Sequence, residues 1–247
     1  MSTRTDSKTS LPLRERVAVA LDVETARDAL AVRDLLGEEA GLLKLGSALF
    51  VREGLPLVTA LAAGGAKVFL DLKFHDIPSV VGKAVEKACA GGMSYVTVHA
   101  SGGRAMIEAA VRAAERAGTG TRVLGVTVLT SLDLASWRAG ASPGEETVEA
   151  AVARLAALAV DAGAHGLVGS AREAALLREI GGRGAVIVTP GIRVPGVESL
   201  DQARTVSAEE AARSGADILV VGRGVLESKD PKATLRTIHR ALEEATS

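Results

Sequence analysis

The feature that most constrains the fold is a regular alternation of short apolar runs with longer segments of helical periodicity along all 247 residues. The apolar runs are rich in Val, Leu and Ile and are nearly continuous, which is typical of strands buried on both faces of a parallel sheet. Eight strands are predicted, at residues 17–22, 42–46, 67–73, 95–99, 122–129, 166–170, 185–189 and 217–222.

Helical patterns fill the intervals between these strands. They cover residues 24–36, 48–63, 78–90, 104–117, 147–162, 171–180, 207–214 and 231–244, with a break expected before Pro56. Eight such β/α units in a chain of this length favour a closed (β/α)8 TIM barrel over an open doubly wound sheet. We expect a disordered tail at 1–12, one catalytic domain at 13–247, an irregular insert at 131–143 and a long Gly/Pro loop at 190–206.

Composition excludes several classes of protein. Lys+Arg 29 against Asp+Glu 30 leaves a net charge of -1, without the basic surplus of a nucleic-acid-binding surface. No apolar run approaches the ~18 residues of a membrane span, and the first ten residues lack the apolar centre of a signal peptide. The single Cys89 fits a reducing compartment and a buried helix position, so we expect a cytoplasmic protein.

Charged residues gather where the predicted strands end. Active sites of (β/α)8 barrels lie at the C-terminal ends of the strands, and Asp22, Lys44, Asp71, Lys73 and Asp76 all occupy such positions. Strand alternation with period 2 predicts that the Asp71 and Lys73 side chains share one face. Each residue taken singly could be an ordinary polar strand end, but a cluster of acids and lysines in a barrel mouth has to pair or to function.

Two glycine-rich loops follow strands seven and eight, and each carries one arginine. They are Thr189-Pro-Gly-Ile-Arg193 and Val221-Gly-Arg223-Gly-Val225, the second of which leads into a short helical turn. Backbone N–H groups at a helix start, combined with a guanidinium, form an anion site, and these loops are the usual phosphate position in such barrels. The loops therefore favour a phosphorylated substrate, against the alternative of turn glycines beside solvated arginines.

Alternating charges decide the chemistry that this cluster can perform. A lysine beside a carboxylate is held as an ammonium, which disfavours a Schiff base because that requires a neutral amine. A positioned ammonium suits a reaction that develops a carbanion and then protonates it, and Lys73 is the candidate proton donor. The sequence contains neither HExxH nor CxxC, and no metal site is predicted.

The run Asp71-Leu-Lys73-Phe-His-Asp76-Ile-Pro closely resembles the signature of the orotidine 5′-phosphate decarboxylase family. The resemblance extends over nearly the whole predicted barrel. It includes the segments at 20–22, 43–46, 98–103, 129–131, 189–193, 201–204 and 221–223. The Asp-x-Lys-x-x-Asp core alone is shared with related barrel enzymes, whereas the longer run together with both arginine loops is much more specific.

This resemblance implies decarboxylation of orotidine 5′-monophosphate to UMP, the last step of de novo pyrimidine synthesis, without a cofactor. Lys73 would protonate C6, Asp71 would face the departing carboxylate, and Lys44 would hold Asp71 and the ribose. The resemblance also assigns substrate contacts outside the charge cluster. Asp22 would bind ribose hydroxyls, Thr130 the pyrimidine, and Arg193, Gln202, Gly222 and Arg223 the phosphate.

The resemblance further implies a homodimer, in which Asp76 enters the active site of the partner subunit, and a loop at 194–202 that closes over the substrate. Two alternatives stay open at this point. One is a related Mg²⁺-dependent lyase of the 3-keto-L-gulonate 6-phosphate decarboxylase or hexulose-phosphate synthase type. The other is a barrel that binds nucleotides without catalysis, which has no need of such crowded charges.

Overall fold

Eight parallel strands close into a barrel in the computed structural model, which describes residues 11–140, 147–194 and 206–246. The strands are β1 (Val17–Ala20), β2 (Leu42–Gly46), β3 (Lys67–Phe74), β4 (Tyr95–His99), β5 (Arg122–Val126), β6 (Gly166–Val168), β7 (Val186–Thr189) and β8 (Ile218–Val221). Each strand pairs in parallel with its neighbours in sequence, and β8 closes on β1 with Val220 opposite Ala18. The predicted (β/α)8 barrel is confirmed.

Helices cover the outside of the barrel. They are α1 (Ala26–Leu36), α2 (Ser47–Ala63), α3 (Pro78–Ala90), α4 (Arg104–Ala117), α5 (Leu134–Gly140), α6 (Val148–Asp161), α7 (Ala174–Gly181), α8 (Ala208–Arg213), α9 (Arg223–Leu226) and α10 (Pro231–Thr246). The expected break in α2 occurs at Gly54, whose φ of 64° is open to glycine at little cost. Within the described ranges, no helix is both long and apolar enough to cross a bilayer.

Part of the segment predicted as an irregular insert is helical instead. Of residues 131–143, α5 occupies Leu134–Gly140, and 141–143 lie outside the described residues. The helix forms because the carboxylate of Asp133 accepts a hydrogen bond from the Ser136 N–H at 2.8 Å and so caps its first turn. Strands β5 and β6 also end earlier than predicted, at Val126 and Val168.

Two apolar layers form the core. The barrel interior is filled by Ala18, Leu42, Phe69, Tyr95, Leu124, Val126, Val168, Val186, Val188 and Ile218. A larger aliphatic layer lies between strands and helices and includes Cys89, which is buried in α3 as predicted. The interior is closely packed at β6, where a Cβ on Gly166 would lie 2.3 Å from the Val186 carbonyl oxygen. Residues 1–10 of the predicted tail lie outside the described residues, whereas Leu11 packs against the interior cluster.

Ion pairs close the N-terminal end of the barrel. Lys67 donates to the buried Glu15 at 2.7 Å, and Arg178 is paired with Asp217. Arg178 also donates to the carbonyl oxygen of Ala185 at 2.9 Å. These groups tie loops and strand starts together at one end, which leaves the C-terminal ends of the strands as the open face.

Candidate active site

A cavity of about 360 Å³ opens at the C-terminal ends of the strands. Among the residues predicted to act or to bind substrate, its lining includes Asp22, Lys44, Asp71, Lys73, Thr130, Gly222 and Arg223. Its apolar lining includes Phe69, Val168, Val188 and Val220, which belong to or pack against the interior cluster of the barrel. The cavity therefore has a hydrophobic floor below a charged wall, which suits a flat ring that carries polar substituents.

Asp71 is the centre of the charged wall. Its Oδ1 accepts a hydrogen bond from Lys73 Nζ at 2.9 Å, and its Oδ2 lies 3.5 Å from Lys44 Nζ. The Asp71 and Lys44 side chains are 14% and 12% exposed, whereas Lys73 is 34% exposed. One carboxylate thus holds two ammonium groups, of which Lys73 is the more accessible from the cavity.

The surroundings of Asp71 keep it ionised. Burial alone would raise the pKa of its carboxyl, but the charges of Lys44 and Lys73 and two side-chain hydrogen bonds, from Lys73 and Thr97, together hold that pKa below its usual range. At neutral pH the group is therefore a carboxylate. A charged oxygen at this position both orients the Lys73 ammonium and repels any anionic group brought against it.

The backbone of β3 leaves regular strand geometry where these residues lie. Leu70 pairs with Val96 of β4, yet the next paired residue of β3 is Phe74, opposite Val98. Within this bulge Lys73 has φ 52°, the one positive φ of a non-glycine residue in the described chain. Such a conformation costs about 1–2 kcal/mol for an L-residue and persists only where its surroundings impose it. The bulge aims the lysine at the cavity.

Sequence reasoning missed Thr97, the residue of β4 that lies opposite the bulge. The side chain is fully buried, and Oγ1 contacts the Lys73 N–H at 2.8 Å and Asp71 Oδ1 at 3.0 Å. A polar residue at the centre of the apolar run Tyr95–His99 was the available signal. The His99 ring beyond it lies 5.3 Å from that of His75, and burial, His75 and Lys73 lower its pKa.

The opposite end of the cavity is formed by the loops after β7 and β8. Gly222 precedes α9, and its carbonyl oxygen accepts hydrogen bonds from the N–H groups of Val225 and Leu226. Space here is limited, since a Cβ on Gly222 would lie 3.1 Å from Asp22 Oδ2. Gly191 and Ile192 complete the lining from the β7 side. The backbone thus comes close to the cavity, with the Arg223 side chain beside it.

Two predicted site residues lie outside the lining formed by the described part of the chain, and a third is not among the described residues. Arg193 is exposed and lies outside the lining formed by the described residues, although Ile192 and Val194 on either side belong to it. Asp76 is exposed as well, and its Oδ1 accepts the Ile77 N–H at 2.6 Å. Gln202 lies outside the described residues, as does most of the predicted closing loop at 194–202.

Within 11–140, 147–194 and 206–246, no three His, Cys, Asp or Glu residues lie close enough to hold a metal ion. The polar groups that face the cavity are instead lysines, carboxylates, a threonine and an arginine. These groups can bind and orient an anionic substrate, stabilise a developing negative charge and deliver a proton.

A charge cluster at the mouth of a (β/α)8 barrel, beside two glycine-rich loops, defines a barrel enzyme whose chemistry takes place at the C-terminal ends of the strands. Comparison with known proteins identifies the family within this class of barrel enzymes. The chain belongs to the orotidine 5′-phosphate decarboxylase / HUMPS family, whose model matches residues 15–238.

Individual relatives agree with this assignment. Proteins named orotidine 5′-phosphate decarboxylase from Anaeromyxobacter sp. (strain K) and Chromobacterium violaceum are 48% and 43% identical to the chain. The matches cover 92% and 95% of the chain and 98% and 93% of the respective relatives. The crystal structure of orotidine 5′-phosphate decarboxylase from Lactobacillus acidophilus superposes with a TM-score of 0.80 at 30% identity, over 92% of this chain and 99% of that one.

Proposed function

We propose that this chain decarboxylates orotidine 5′-monophosphate to UMP and CO2, the last step of de novo pyrimidine synthesis, with Lys73 as the proton donor to C6. The observation that carries the proposal is the Lys73 ammonium, held 2.9 Å from the Asp71 carboxylate in the cavity wall. Relatives at 48% identity that are named orotidine 5′-phosphate decarboxylase support this substrate over the sugar phosphates of the related lyases. We also expect the reaction to take place in the cytoplasm, which cell fractionation would test.

The proposed step breaks the bond between C6 and the substrate carboxylate and leaves its electron pair on C6. Lys73 stabilises that pair and then transfers a proton to it, and solvent later reprotonates the amine. Asp71 faces the departing carboxylate, and the repulsion between the two falls as CO2 leaves. Lys44 holds Asp71 from the side of β2, at 3.5 Å from Oδ2, and reaches the ribose.

Contacts to the ribose and the phosphate of the substrate support decarboxylation at its pyrimidine ring. In this proposal Asp22 contacts the ribose hydroxyls and Thr130 the pyrimidine, both from positions in the cavity lining. The phosphate is held by Gly222 and Arg223 together with Arg193 and Gln202, which reach it when the loop at 194–202 closes. Remote binding energy of this kind is available to orient the reacting ring.

The decisive assay follows the fall in ultraviolet absorbance as substrate is converted to UMP. We expect full activity in EDTA, which a Mg²⁺-dependent sugar-phosphate lyase would not show. Binding of UMP without turnover would instead identify a nucleotide-binding barrel. Lys73→Ala should lower kcat by several orders of magnitude while the melting temperature changes little. Lys87→Ala, which removes an exposed lysine of α3, is the matched control and should behave like the wild type. Near-normal turnover of Lys73→Ala would contradict the proton-donor assignment.

We further propose a homodimer in which Asp76 completes the active site of the partner subunit. Within one chain Asp76 is exposed, and the described cavity lining does not include it. Ile77 and Val80 next to it are 63% and 44% exposed and lie three residues apart at the start of α3, so a second copy that covered Asp76 would bury them as well. The segment 71–76 would then serve two active sites.

A complementation experiment tests this arrangement. Lys73→Ala and Asp76→Ala chains are each expected to be nearly inactive, and mixed dimers should recover activity because one of the two hybrid sites contains both side chains. Size-exclusion chromatography with light scattering would establish that heterodimers have formed. Heterodimers without any recovered activity would place Asp76 in the site of its own chain, whereas a fully active Asp76→Ala homodimer would place it outside catalysis.

A further inference from the structure

The bulge in β3 leaves one backbone donor that the neighbouring strand does not pair in the usual way. Between the paired residues Leu70 and Phe74, three residues of β3 face the single residue Thr97 of β4. The N–H of Lys73 therefore donates to a side chain, the hydroxyl of Thr97, at 2.8 Å. Because a buried N–H without a partner is costly, this hydroxyl stabilises the left-handed backbone at Lys73.

The same hydroxyl has a second partner, and the direction of each hydrogen bond is defined. A hydroxyl carries one proton, and Thr97 Oγ1 already accepts from the Lys73 N–H, so its own proton is donated to Asp71 Oδ1 at 3.0 Å. Lys73 Nζ donates to that same Oδ1 at 2.9 Å. A closed ring results, which leads from the Lys73 backbone through Thr97 and Asp71 back to the Lys73 ammonium.

We infer that Thr97 is a positioning residue, which fixes the Lys73 backbone and the Asp71 carboxylate relative to each other so that the ammonium points into the cavity. The inference rests on the proposed function, because it assigns a role within that reaction. Asp71 is held from two sides, by Lys44 of β2 and by Thr97 of β4. Thr97 itself is fully buried and lies outside the cavity lining of the described residues, so it acts through its two neighbours.

The test compares three variants of similar size and burial. Thr97→Val removes both hydrogen bonds and keeps the shape, and Thr97→Ser keeps the hydroxyl. Thr121→Val is the matched control, since Thr121 is also a buried threonine, and its hydroxyl donates to the Met93 carbonyl at 2.7 Å before β5 begins. Each variant is assayed for kcat and KM on orotidine 5′-monophosphate, and thermal unfolding is measured in parallel.

We expect Thr97→Val to lower kcat by roughly 10- to 100-fold and to change KM by less than about threefold, because phosphate and ribose contacts are untouched. Thr97→Ser should stay within about threefold of the wild type in both constants. A hydrogen bond to a carboxylate lowers its pKa, so its loss in Thr97→Val should move the acid limb of the kcat profile to higher pH. If Thr97 had a purely structural role, Thr97→Val would leave the acid limb where it is and would not lower kcat at constant KM.

Equal losses of kcat and melting temperature in Thr97→Val and Thr121→Val would overturn the inference, as would unchanged kcat and an unmoved acid limb in Thr97→Val. A wild-type chain without decarboxylase activity would instead overturn the proposed function. In that case ¹³C NMR titration of the Asp71 carboxyl, assigned with Asp71→Asn, still decides on positioning. The Asp71 pKa should be higher in Thr97→Val than in the wild type, and an identical pKa would refute the role of Thr97.

Discussion

Replacement of Asp71 by asparagine should destabilise the folded chain as well as abolish turnover. The substitution keeps size and most hydrogen bonds but removes the counter-charge of two lysines. Lys73 Nζ and Lys44 Nζ lie 2.9 Å and 3.5 Å from the carboxylate, and Lys44 is largely buried. In the variant, two neighbouring ammonium groups would face an uncharged amide inside a partly dry cavity.

The distances set the size of the effect. At an effective dielectric constant of about 20, Coulomb's law gives attractions of roughly 6 and roughly 5 kcal/mol for the two pairs. Desolvation of the three charges offsets most of this, and removal of one partner from a buried pair usually costs about 3–5 kcal/mol. Lys73 is 34% exposed and can turn towards water. We therefore expect the free energy of unfolding to fall by about 2–3 kcal/mol.

Urea unfolding followed by circular dichroism would measure this difference at several pH values. The folded-state pKa of Asp71 is lowered, so its stabilisation is fully present above the unfolded pKa of about 3.9 and is lost as pH falls through the folded value. The difference between wild type and Asp71→Asn should be constant from neutral pH to about pH 5 and shrink below about pH 4. Asp34→Asn, which breaks an exposed pair with Arg33, should cost less than about 1 kcal/mol at any pH.

A second substitution separates the charge effect from general disturbance. Lys44→Met in the Asp71→Asn background removes the buried ammonium that has lost its partner, and part of the lost stability should return. A double-mutant cycle over these two positions then reports their coupling free energy. Asp71→Asn chains as stable as the wild type, with no coupling to Lys44, would refute the reasoning. In that case the desolvation free energy of the buried carboxylate would equal the stabilisation that its two lysines provide.

Two further substitutions test the ends of the barrel. Arg178→Ala removes the guanidinium paired with Asp217 and leaves the Arg16 charge as its electrostatic partner, so the free energy of unfolding should fall by about 3 kcal/mol, with kcat unchanged in the fraction that stays folded. Gly222→Ala should raise KM by roughly tenfold with a smaller change in kcat, because the added Cβ displaces the Asp22 carboxylate by a few tenths of an ångström. Gly184→Ala, where a Cβ meets nothing within 4 Å, is the control, and an equal KM in both glycine variants would contradict this role for Gly222.

The barrel could be predicted from the sequence because its strands are short, apolar and separated by amphipathic helices. Short apolar runs of this kind, such as Tyr95–His99 and Val186–Thr189, are typical of strands that are buried on both faces. The helix Leu134–Gly140 could not be predicted in the same way, because a single capping contact from Asp133 stabilises it within a segment rich in turn-forming residues. A local hydrogen bond of this kind does not change the spacing of apolar residues, from which helices are predicted.

The rule that active sites lie at strand ends correctly predicted that Lys44, Asp71 and Lys73 lie close together, since the parallel strands of a barrel end at one face. The same rule is weaker for the loops. Arg193 follows β7 as expected, yet its side chain is exposed outside the described lining, while Arg223 borders the cavity. Where a strand ends determines the position of the next backbone atoms, whereas the direction of a loop side chain depends on turns that composition does not specify.

Asp71 and Lys73 show how a sound prediction can rest on an incomplete physical reason. Strand alternation predicts that the two side chains share a face, and they do meet at 2.9 Å. The backbone between Leu70 and Phe74 is nevertheless bulged rather than alternating, with a positive φ at Lys73. Regular geometry would space the two side chains along the strand, whereas the bulge turns the ammonium back onto the carboxylate. That turn is stabilised by Thr97, so the contact depends on a residue of β4 that the spacing within β3 could not reveal.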